Sequence, residues 1–332
     1  MNYIGSKNKL SGFIKSSIKE VVGEDLSKCV FCDLFAGTGI IGRTFKQDVR
    51  KVIANDIEYY SYILNKNYVG NHKLLPEKEE RLACLRETEP YEGFIYTNYC
   101  KEGNGERQYF SDTNGKKIDG IRLQIQKWQT AGEINDELHA FLLASLLESA
   151  DKVANTASVY AAYLKHLKKS AQKELDLIPA EFDINHNDHE VYNEDANKLL
   201  PQISGDILYL DPPYNERQYG ANYHLLNTIA HYDQFIPRGK TGLREYGKSK
   251  YCSRQQVTGE FMDLLRNADF KYIFLSYNNE GLMSCDTIQK VMSMFGKYDL
   301  VQTDYQRFRA DREENRNHLA DKTCEYLHIL EK

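Results

Sequence analysis

The residues with the most specific chemistry form a tetrapeptide, Asp211-Pro212-Pro213-Tyr214, which directly follows the apolar run DILYL at 206–210. The run predicts a buried strand, so the tetrapeptide begins at the carboxyl end of that strand. Two prolines fix the backbone and remove two N–H donors, which leaves the Asp211 carboxylate and the neighbouring carbonyls as rigid acceptors. Such an acceptor pair suits a planar amino group with two N–H bonds. The Tyr214 ring adds a surface against which a base can stack.

A second candidate site is a glycine-rich turn, Gly37-Thr-Gly39-Ile-Ile-Gly42, between a predicted strand at 29–35 and a predicted helix at 40–45. Glycines let the backbone approach a ligand closely, and the start of the helix presents free N–H groups. Asp56 follows the next predicted strand, 51–55, where a carboxylate can accept hydrogen bonds from both hydroxyls of a ribose. Together these features predict a cofactor that contains adenosine. They do not choose between NAD and S-adenosylmethionine, and a purely structural turn is the alternative.

Taken with the tetrapeptide, the turn belongs to a set of five segments that resembles the Dam-like group of adenine-specific (N6) DNA methyltransferases. The segments are 2–7 (NYIGSK), 33–39 (DLFAGTG), 55–60 (NDIEYY), 194–196 (EDA) and 211–214 (DPPY). The resemblance implies that S-adenosylmethionine is the cofactor and that no metal is needed. It also implies methyl transfer to the N6 amino group of an adenine flipped out of the duplex.

The resemblance also implies roles for individual residues. The amino group of the adenine would donate to the Asp211 carboxylate and the Pro212 carbonyl, and the base would stack near Tyr214. The catalytic residues implied are Asp211, Pro212, Pro213 and Tyr214. The cofactor-binding residues implied are Tyr3, Lys7, Asp33, Phe35, Ala36, Gly37, Gly39, Asp56, Asp195 and Asp211.

Candidate DNA contacts lie in two segments after the catalytic motif. The stretch 237–254 holds six Lys or Arg residues against one Glu, with interleaved glycines and tyrosines. A basic, aromatic loop beside a flipped base suits contact with phosphates. An ordinary solvated loop is the alternative. The predicted DNA-binding residues are Arg217, Tyr219, Tyr223, Lys248, Lys250 and Arg254.

The fold class follows from the order of predicted elements. Residues 7–74 alternate between helix and strand, and the alternation returns at about residue 182. It ends with closing strands at 300–304 and 325–330. This order predicts an α/β fold with a Rossmann-like methyltransferase sheet, mostly parallel with an antiparallel closing hairpin.

The middle of the chain, 75–181, has no strand pattern. We predict helices at 133–152 and 160–175 from their apolar spacing, and a loop at 91–120 from its Gly, Asn and Tyr content. The sequence therefore predicts a catalytic domain made of 1–74 and 182–332. It predicts that 75–181 is a mainly helical insertion that recognises the target.

The composition excludes several other classes of protein. The 332 residues are 41% hydrophobic and 27% charged, as in an ordinary folded enzyme. Apolar runs fall far short of the roughly 20 residues of a membrane span, and the N-terminus lacks a signal-peptide core. The odd number of cysteines, seven, does not favour a disulfide framework. We expect a cytoplasmic protein of prokaryotic or phage-like type.

Double-stranded DNA is the expected partner, and its binding is compatible with the net charge of -5 because a local basic patch is sufficient. A cognate restriction endonuclease is left open as a second partner. Three alternatives remain at this point. They are an enzyme that methylates cytosine N4 or RNA, a catalytically silent nucleic-acid-binding module, and a NAD-dependent oxidoreductase. The last leaves the Asp-Pro-Pro-Tyr motif unexplained.

Overall fold

The computed structural model describes residues 7–306 and 322–332. These residues divide into two compact units. The sheet unit comprises the described residues of Gly5–Ile57, Asn185–Gln218 and Lys248–Lys332. The helical unit contains Glu58–Ile184 and Tyr219–Gly247. The helical unit thus takes in more of the chain than the segment 75–181, and the assignment of target recognition to that segment remains a prediction.

Among the described residues, seven strands form one sheet in the order β3-β2-β1-β4-β5-β7-β6. The first five in this order run parallel, and β7 is antiparallel to both β5 and β6. This confirms the predicted mostly parallel α/β sheet with its antiparallel closing hairpin. The strands are β1 Val30–Asp33, β2 Lys51–Asn55, β3 Glu190–Tyr192, β4 Ser204–Leu210, β5 Asp269–Asn278, β6 Lys297–Gln306 and β7 Lys322–Glu331.

The centre of the sheet is the point where the strand order reverses. From β1 the chain continues to β2 on one side, whereas β4 pairs with β1 on the other side. All four residues of β1 are buried, as expected for a strand covered on both faces, and the last of them is the acidic Asp33. Ligands of open α/β sheets bind outside the carboxyl ends of the strands at such a reversal. Asp33, Asp56 and Asp211 all lie at those ends.

Helices cover both faces of the sheet unit. On one face the ring of Phe31 in the sheet stacks on Phe45 at 4.3 Å between centroids. The core on the other side includes Phe261 and Leu264 with Ile273 of β5. The helices are α1 Ser11–Val22, α2 Ile40–Phe45, α8 Ala196–Leu199, α11 Val257–Asn267 and α12 Cys285–Met292, and short 3-10 turns span Leu200–Gln202 and Lys250–Cys252.

The helical unit is built around the long helix that the sequence predicts at 133–152. The observed helix is Asp136–Val153, and thirteen of its 18 residues are buried. Its start is capped by Asn135, whose side chain accepts from Leu138 N. No helix among the described residues is long and apolar enough to cross a membrane. The helices are α3 Tyr59–Asn65, α4 Lys78–Arg86, α5 Phe94–Tyr99, α6 Asp112–Thr130, α7 Asp136–Val153, α9 Tyr219–Asn222 and α10 His224–His231, with a π-helical turn at Lys66–Gly70.

The helix predicted at 160–175 is wrong, because that segment is an ordered loop. The buried side chain of Asn155 binds backbone groups of this segment at two positions. The Asn155 amide donates to Leu164 O and to Gln108 O, both at 2.9 Å. Its Oδ1 accepts from Lys168 N at 3.0 Å. Apolar spacing alone could not reveal this competing set of hydrogen bonds.

The loop predicted at 91–120 is also wrong in part, because α5 and the first half of α6 lie in it. The glycines that suggested a loop serve close packing. A Cβ on Gly115 would overlap the Cys100 sulfur, and one on Gly120 would overlap the carbonyl oxygen of Glu89. Ser111 caps α6 by accepting from Asn114 N. Tertiary packing thus overrides the low helix propensity of this stretch.

Candidate active site

The carboxyl ends of the strands are joined by one buried side chain, Asn55, the last residue of β2. Its amide donates to the carbonyls of Leu34 and Glu194, each at 3.1 Å. Its Oδ1 accepts from Glu194 N at 3.0 Å. Because Asn55 is only 1% exposed, no water replaces these bonds. One side chain therefore fixes the segments that follow β1 and β3 against β2.

The glycine-rich turn has the backbone conformation that its sequence requires. Gly37 and Gly39 have φ of 53° and 76°, in the left-handed region that favours glycine. Asp33, which precedes the turn, accepts from Gly42 N at 3.0 Å through Oδ2. Its Oδ1 is buried and has no hydrogen-bond partner among the described residues. Burial raises the pKa of Asp33 to about 8, so this carboxyl is held largely neutral near pH 7.

Asp56 lies beside the turn. Its Oδ2 accepts from Gly37 N at 2.8 Å, and Asn193 donates to its carbonyl oxygen at 2.7 Å. The carboxylate that the sequence predicts at the ribose and the glycine that it predicts at the cofactor are therefore in direct contact. Which ligand atoms Asp56 meets remains a prediction.

Asp211, the first residue after β4, pairs with Lys7. The Lys7 ammonium lies 3.1 Å from Asp211 Oδ1 and 2.8 Å from Glu325 Oε1. Burial raises the pKa of Asp211 to about 6, against the opposing effect of Lys7. The Tyr214 ring lies 5.8 Å from the Lys7 ammonium and packs edge-on against Tyr277. The sequence predicts Lys7 as a cofactor contact, and the structure brings it to the carboxylate of Asp211, whose catalytic role is a prediction.

The remaining predicted cofactor residues lie in the same unit. Phe35 packs edge-on against Tyr251 at 5.1 Å, and Tyr251 donates to Asn197. The backbone N–H of Ala36 donates to Asn55 O at 2.9 Å. Asp195 caps α8 by accepting from Lys198 N, so one of its oxygens is engaged. Tyr3 lies outside the described residues.

The predicted DNA-binding residues differ in how accessible they are. Arg217, Lys248, Lys250 and Arg254 are exposed, but the Lys250 ammonium pairs with Glu260 at 3.0 Å. Tyr219 is half-buried and stacks on Tyr223 at 6.0 Å.

The choice of Tyr223 as a DNA contact needs correction, because this residue is 0% exposed. Its ring packs against Tyr60 and Tyr160 in the core of the helical unit. A segment of alternating polar and aromatic residues gave no sign of which ring points inward.

Sequence reasoning missed three residues near Asp211 and the turn: Asn55, Ser276 and Glu325. The sequence motifs include Asn55 only as part of the NDIEYY segment, and Glu325 lies only in a predicted closing strand. Its charge in an otherwise apolar run, EYLHIL, was the one available signal, since a buried acid requires a partner.

The class of protein follows from comparison with known families. Residues 3–292 match the model of the D12 class N6 adenine-specific DNA methyltransferases, and the chain belongs to this family. It is an adenine-specific DNA methyltransferase, which confirms the family, reaction and enzyme class expected from the sequence. Methylation of cytosine N4, methylation of RNA and hydride transfer are not reactions of this class.

Individual relatives that match most or all of the chain are type II methyltransferases. The type II methyltransferase M.NlaIII of Neisseria lactamica is 62% identical over 332 residues, which cover 100% of this chain and 99% of that protein. The type II methyltransferase M.CviAII of Paramecium bursaria Chlorella virus 1 is 37% identical over 93% of each chain. The type II methyltransferase M.FokI of Planomicrobium okeanokoites is 38% identical over 100% of this chain, which spans about half of that protein, 53%.

Proposed function

We propose that the sheet unit binds S-adenosylmethionine at the carboxyl ends of β1 and β2. We further propose that Asp211 and Pro212 hold the amino group of an adenine flipped out of double-stranded DNA. The observation that carries the proposal is the position of Asp33, Asp56 and Asp211 at the ends of β1, β2 and β4, around the reversal of strand order. Ligands bind at this point in open α/β sheets.

The residues present fit the chemistry of the cofactor. The buried Asp33 Oδ1, which has no hydrogen-bond partner among the described residues, suits the cationic amino group of a methionine end. A bound cation would also favour the ionised form of this carboxyl. Asp56 suits the ribose hydroxyls, and its bond to Gly37 N would hold the turn in place beside the ribose.

The turn and the segment after β3 would hold the rest of the cofactor. Phe35, Ala36, Gly37 and Gly39 would line its adenosine part, and Asp195 would contact the adenine ring. Tyr3 and Lys7 remain predicted contacts. When bound, S-adenosylmethionine supplies a methyl group activated by a positive sulfur.

The catalytic residues act by positioning and electrostatics. The Asp211 carboxylate and the Pro212 carbonyl accept the two N–H bonds of the adenine amino group and so orient the nitrogen lone pair. The backbone after Asp211 is fixed by two prolines, and the Tyr214 carbonyl accepts from Leu282 N at 3.0 Å. Tyr214 is then held where a base can stack on it.

DNA contact is proposed for two sets of residues. Arg217, Lys248 and Arg254 are exposed cations that suit phosphates, and Tyr219 is half-buried close to them in the sequence. Lys250 is a weaker candidate because Glu260 compensates its charge. We assign target recognition to the segment 75–181. The type II relatives further support a role in restriction–modification, with a cognate endonuclease as partner.

Methylated-base sequencing of DNA from cells that express the protein tests this function. The wild type should produce N6-methyladenine at one sequence context, and Asp211→Ala should produce none. Asp25→Ala is the matched control, since Asp25 is exposed and precedes the amino end of β1, away from the strand ends that carry the site. Methylation of cytosine, or undiminished methylation by Asp211→Ala, would contradict the proposal.

A further inference from the structure

Asp211 belongs to a chain of buried polar contacts that extends away from the proposed reaction site. The Lys7 ammonium lies between Asp211 and Glu325, and both Lys7 and Glu325 are 6% exposed. Glu325 Oε1 also accepts from the Ser276 hydroxyl at 3.0 Å. Ser276 lies on β5 and Glu325 on the neighbouring β7, where Asn278 and Glu325 are register partners. Strands β5 and β7 therefore hold the far end of this chain of contacts.

We propose that Glu325 is a positioning residue for methyl transfer, which shares the Lys7 ammonium with Asp211 and so keeps it from binding Asp211 alone, while Ser276 holds Glu325 in place. The inference rests on the proposed role of Asp211 and extends it to residues that no motif identified.

Two carboxylates share one ammonium in this arrangement, so neither receives its full charge. Both oxygens contact the Lys7 nitrogen, so they lie within about 6 Å of each other. Burial raises the pKa of Asp211 to about 6, Lys7 opposes the rise, and Glu325 adds to it. The pKa of Lys7 is raised well above its usual value, chiefly because Asp211 and Glu325 outweigh its burial. Lys7 therefore stays charged throughout the working pH range.

Among the described residues, two other titratable groups, Asp33 and Tyr209, interact with Asp211, and neither changes charge near pH 6. Asp33 at the end of β1 has its pKa raised to about 8 by burial. Burial also raises the pKa of Tyr209 on β4 well above its usual value, so this phenol stays neutral. Tyr214 is the remaining neighbour, through its contact with Lys7. Lys7 and Glu325 are thus the charges that govern Asp211 in this range.

Sharing the ammonium has a catalytic consequence. Lys7 keeps Asp211 ionised, as an acceptor of the adenine amino group must be. If Glu325 lost its charge, Lys7 would pair with Asp211 alone and compete with the amino group for the same oxygens. Glu325→Gln should therefore lower the rate of methyl transfer while making Asp211 easier to ionise. Lys7→Met should make Asp211 harder to ionise.

Single-turnover methylation of duplex DNA, measured from pH 5 to 8.5 at saturating cofactor, separates these effects from product release. The rate of the wild type should fall towards low pH with a midpoint near pH 6, and this fall is the acid limb of the profile. Glu325→Gln should move it down by about two pH units, the size expected for a unit charge about 6 Å away at an effective dielectric constant of about 20, so that the rate no longer falls between pH 7 and pH 5. Its plateau rate should fall at least about tenfold. Lys7→Met should move the limb upwards.

A titration of the protein without cofactor or DNA gives a second readout. With 13C-labelled aspartate, the carboxyl signal that disappears in Asp211→Asn should titrate at lower pH in Glu325→Gln than in the wild type. Glu190→Gln is the matched control, since Glu190 also pairs with a lysine, Lys51, but on the edge strand β3. It should change neither the rate nor the limb.

The outcomes separate this inference from the proposed function. If Asp211→Asn stays active, the proposed function fails and the inference fails with it. If Asp211→Asn is inactive but Glu325→Gln keeps the wild-type rate, limb and carboxyl titration, Glu325 is merely structural and the inference alone is overturned. If Glu325→Gln does not fold, Ser276→Ala decides. It leaves all charges in place and should lower the plateau rate several-fold with the limb unmoved, and a wild-type rate would refute the positioning role.

Discussion

Replacing Asn55 by alanine should destabilise the protein strongly, although Asn55 contacts neither a reacting atom nor a metal in this account. The substitution removes three hydrogen bonds made by one buried amide. It leaves two carbonyls and one N–H with no replacement partner, in a place where the residue is 1% exposed. A buried polar group left unsatisfied costs about 1–3 kcal/mol. The three are not independent, so we expect the free energy of unfolding to fall by about 3–5 kcal/mol.

Urea denaturation followed by circular dichroism measures this change, with two further variants for comparison. Asn267→Ala removes an exposed amide that bonds Asp263 within α11, and it should cost no more than about 0.5 kcal/mol. Asn55→Asp keeps the size but replaces the NH2 group with an oxygen that faces two carbonyls, so it should be at least as harmful as alanine. A loss below about 1 kcal/mol for Asn55→Ala would refute the reasoning that this side chain ties the strand ends together.

Three further predictions concern the cofactor, the reaction and DNA. Asp56→Ala should raise the dissociation constant of S-adenosylmethionine about 150-fold or more in calorimetry, because it removes two hydrogen bonds to a charged acceptor, each of which contributes about 1.5–3 kcal/mol. Unchanged affinity would show that Asp56 does not bind the ribose. The rate of methyl transfer should fall as the pH drops through about 6. Burial raises the pKa of Asp211 to about 6, and the carboxylate accepts from the amino group only when it is ionised. A rate independent of pH between 5 and 7 would contradict this. Neutralising Lys248, Lys250 and Arg254 together should weaken binding to all DNA sequences alike. The slope of log affinity against log salt concentration should become shallower by up to about 0.9 for each phosphate that is no longer neutralised, and Lys250 should contribute least because it pairs with Glu260. A wild-type slope would mean that these residues do not contact DNA phosphates.

The parts of the fold that the sequence predicts well have local causes. The strand at 51–55 and the helix at 40–45 match β2 and α2 residue for residue, because an apolar run ends at a polar residue and a glycine turn opens the helix. Asp211 could be placed at the end of β4 for the same reason, since two prolines cannot continue a central strand.

Other features depend on contacts between distant parts of the chain and could not be predicted. Lys7 and Glu325 are 318 residues apart, and no spacing rule relates them. The loop at 160–175 has helical spacing, but Asn155 binds its backbone groups. Tyr223 lies in a polar segment that favours exposure, yet its ring is buried among other tyrosines.

The most direct test of the account measures the product made by the purified protein with and without the Asp211 carboxylate. Duplex DNA is incubated with S-adenosylmethionine and either the wild type or Asp211→Asn, then digested to nucleosides and analysed by mass spectrometry. The account predicts N6-methyl-2′-deoxyadenosine from the wild type and none from Asp211→Asn. Equal product from both proteins, or methylated cytosine from either, would contradict it.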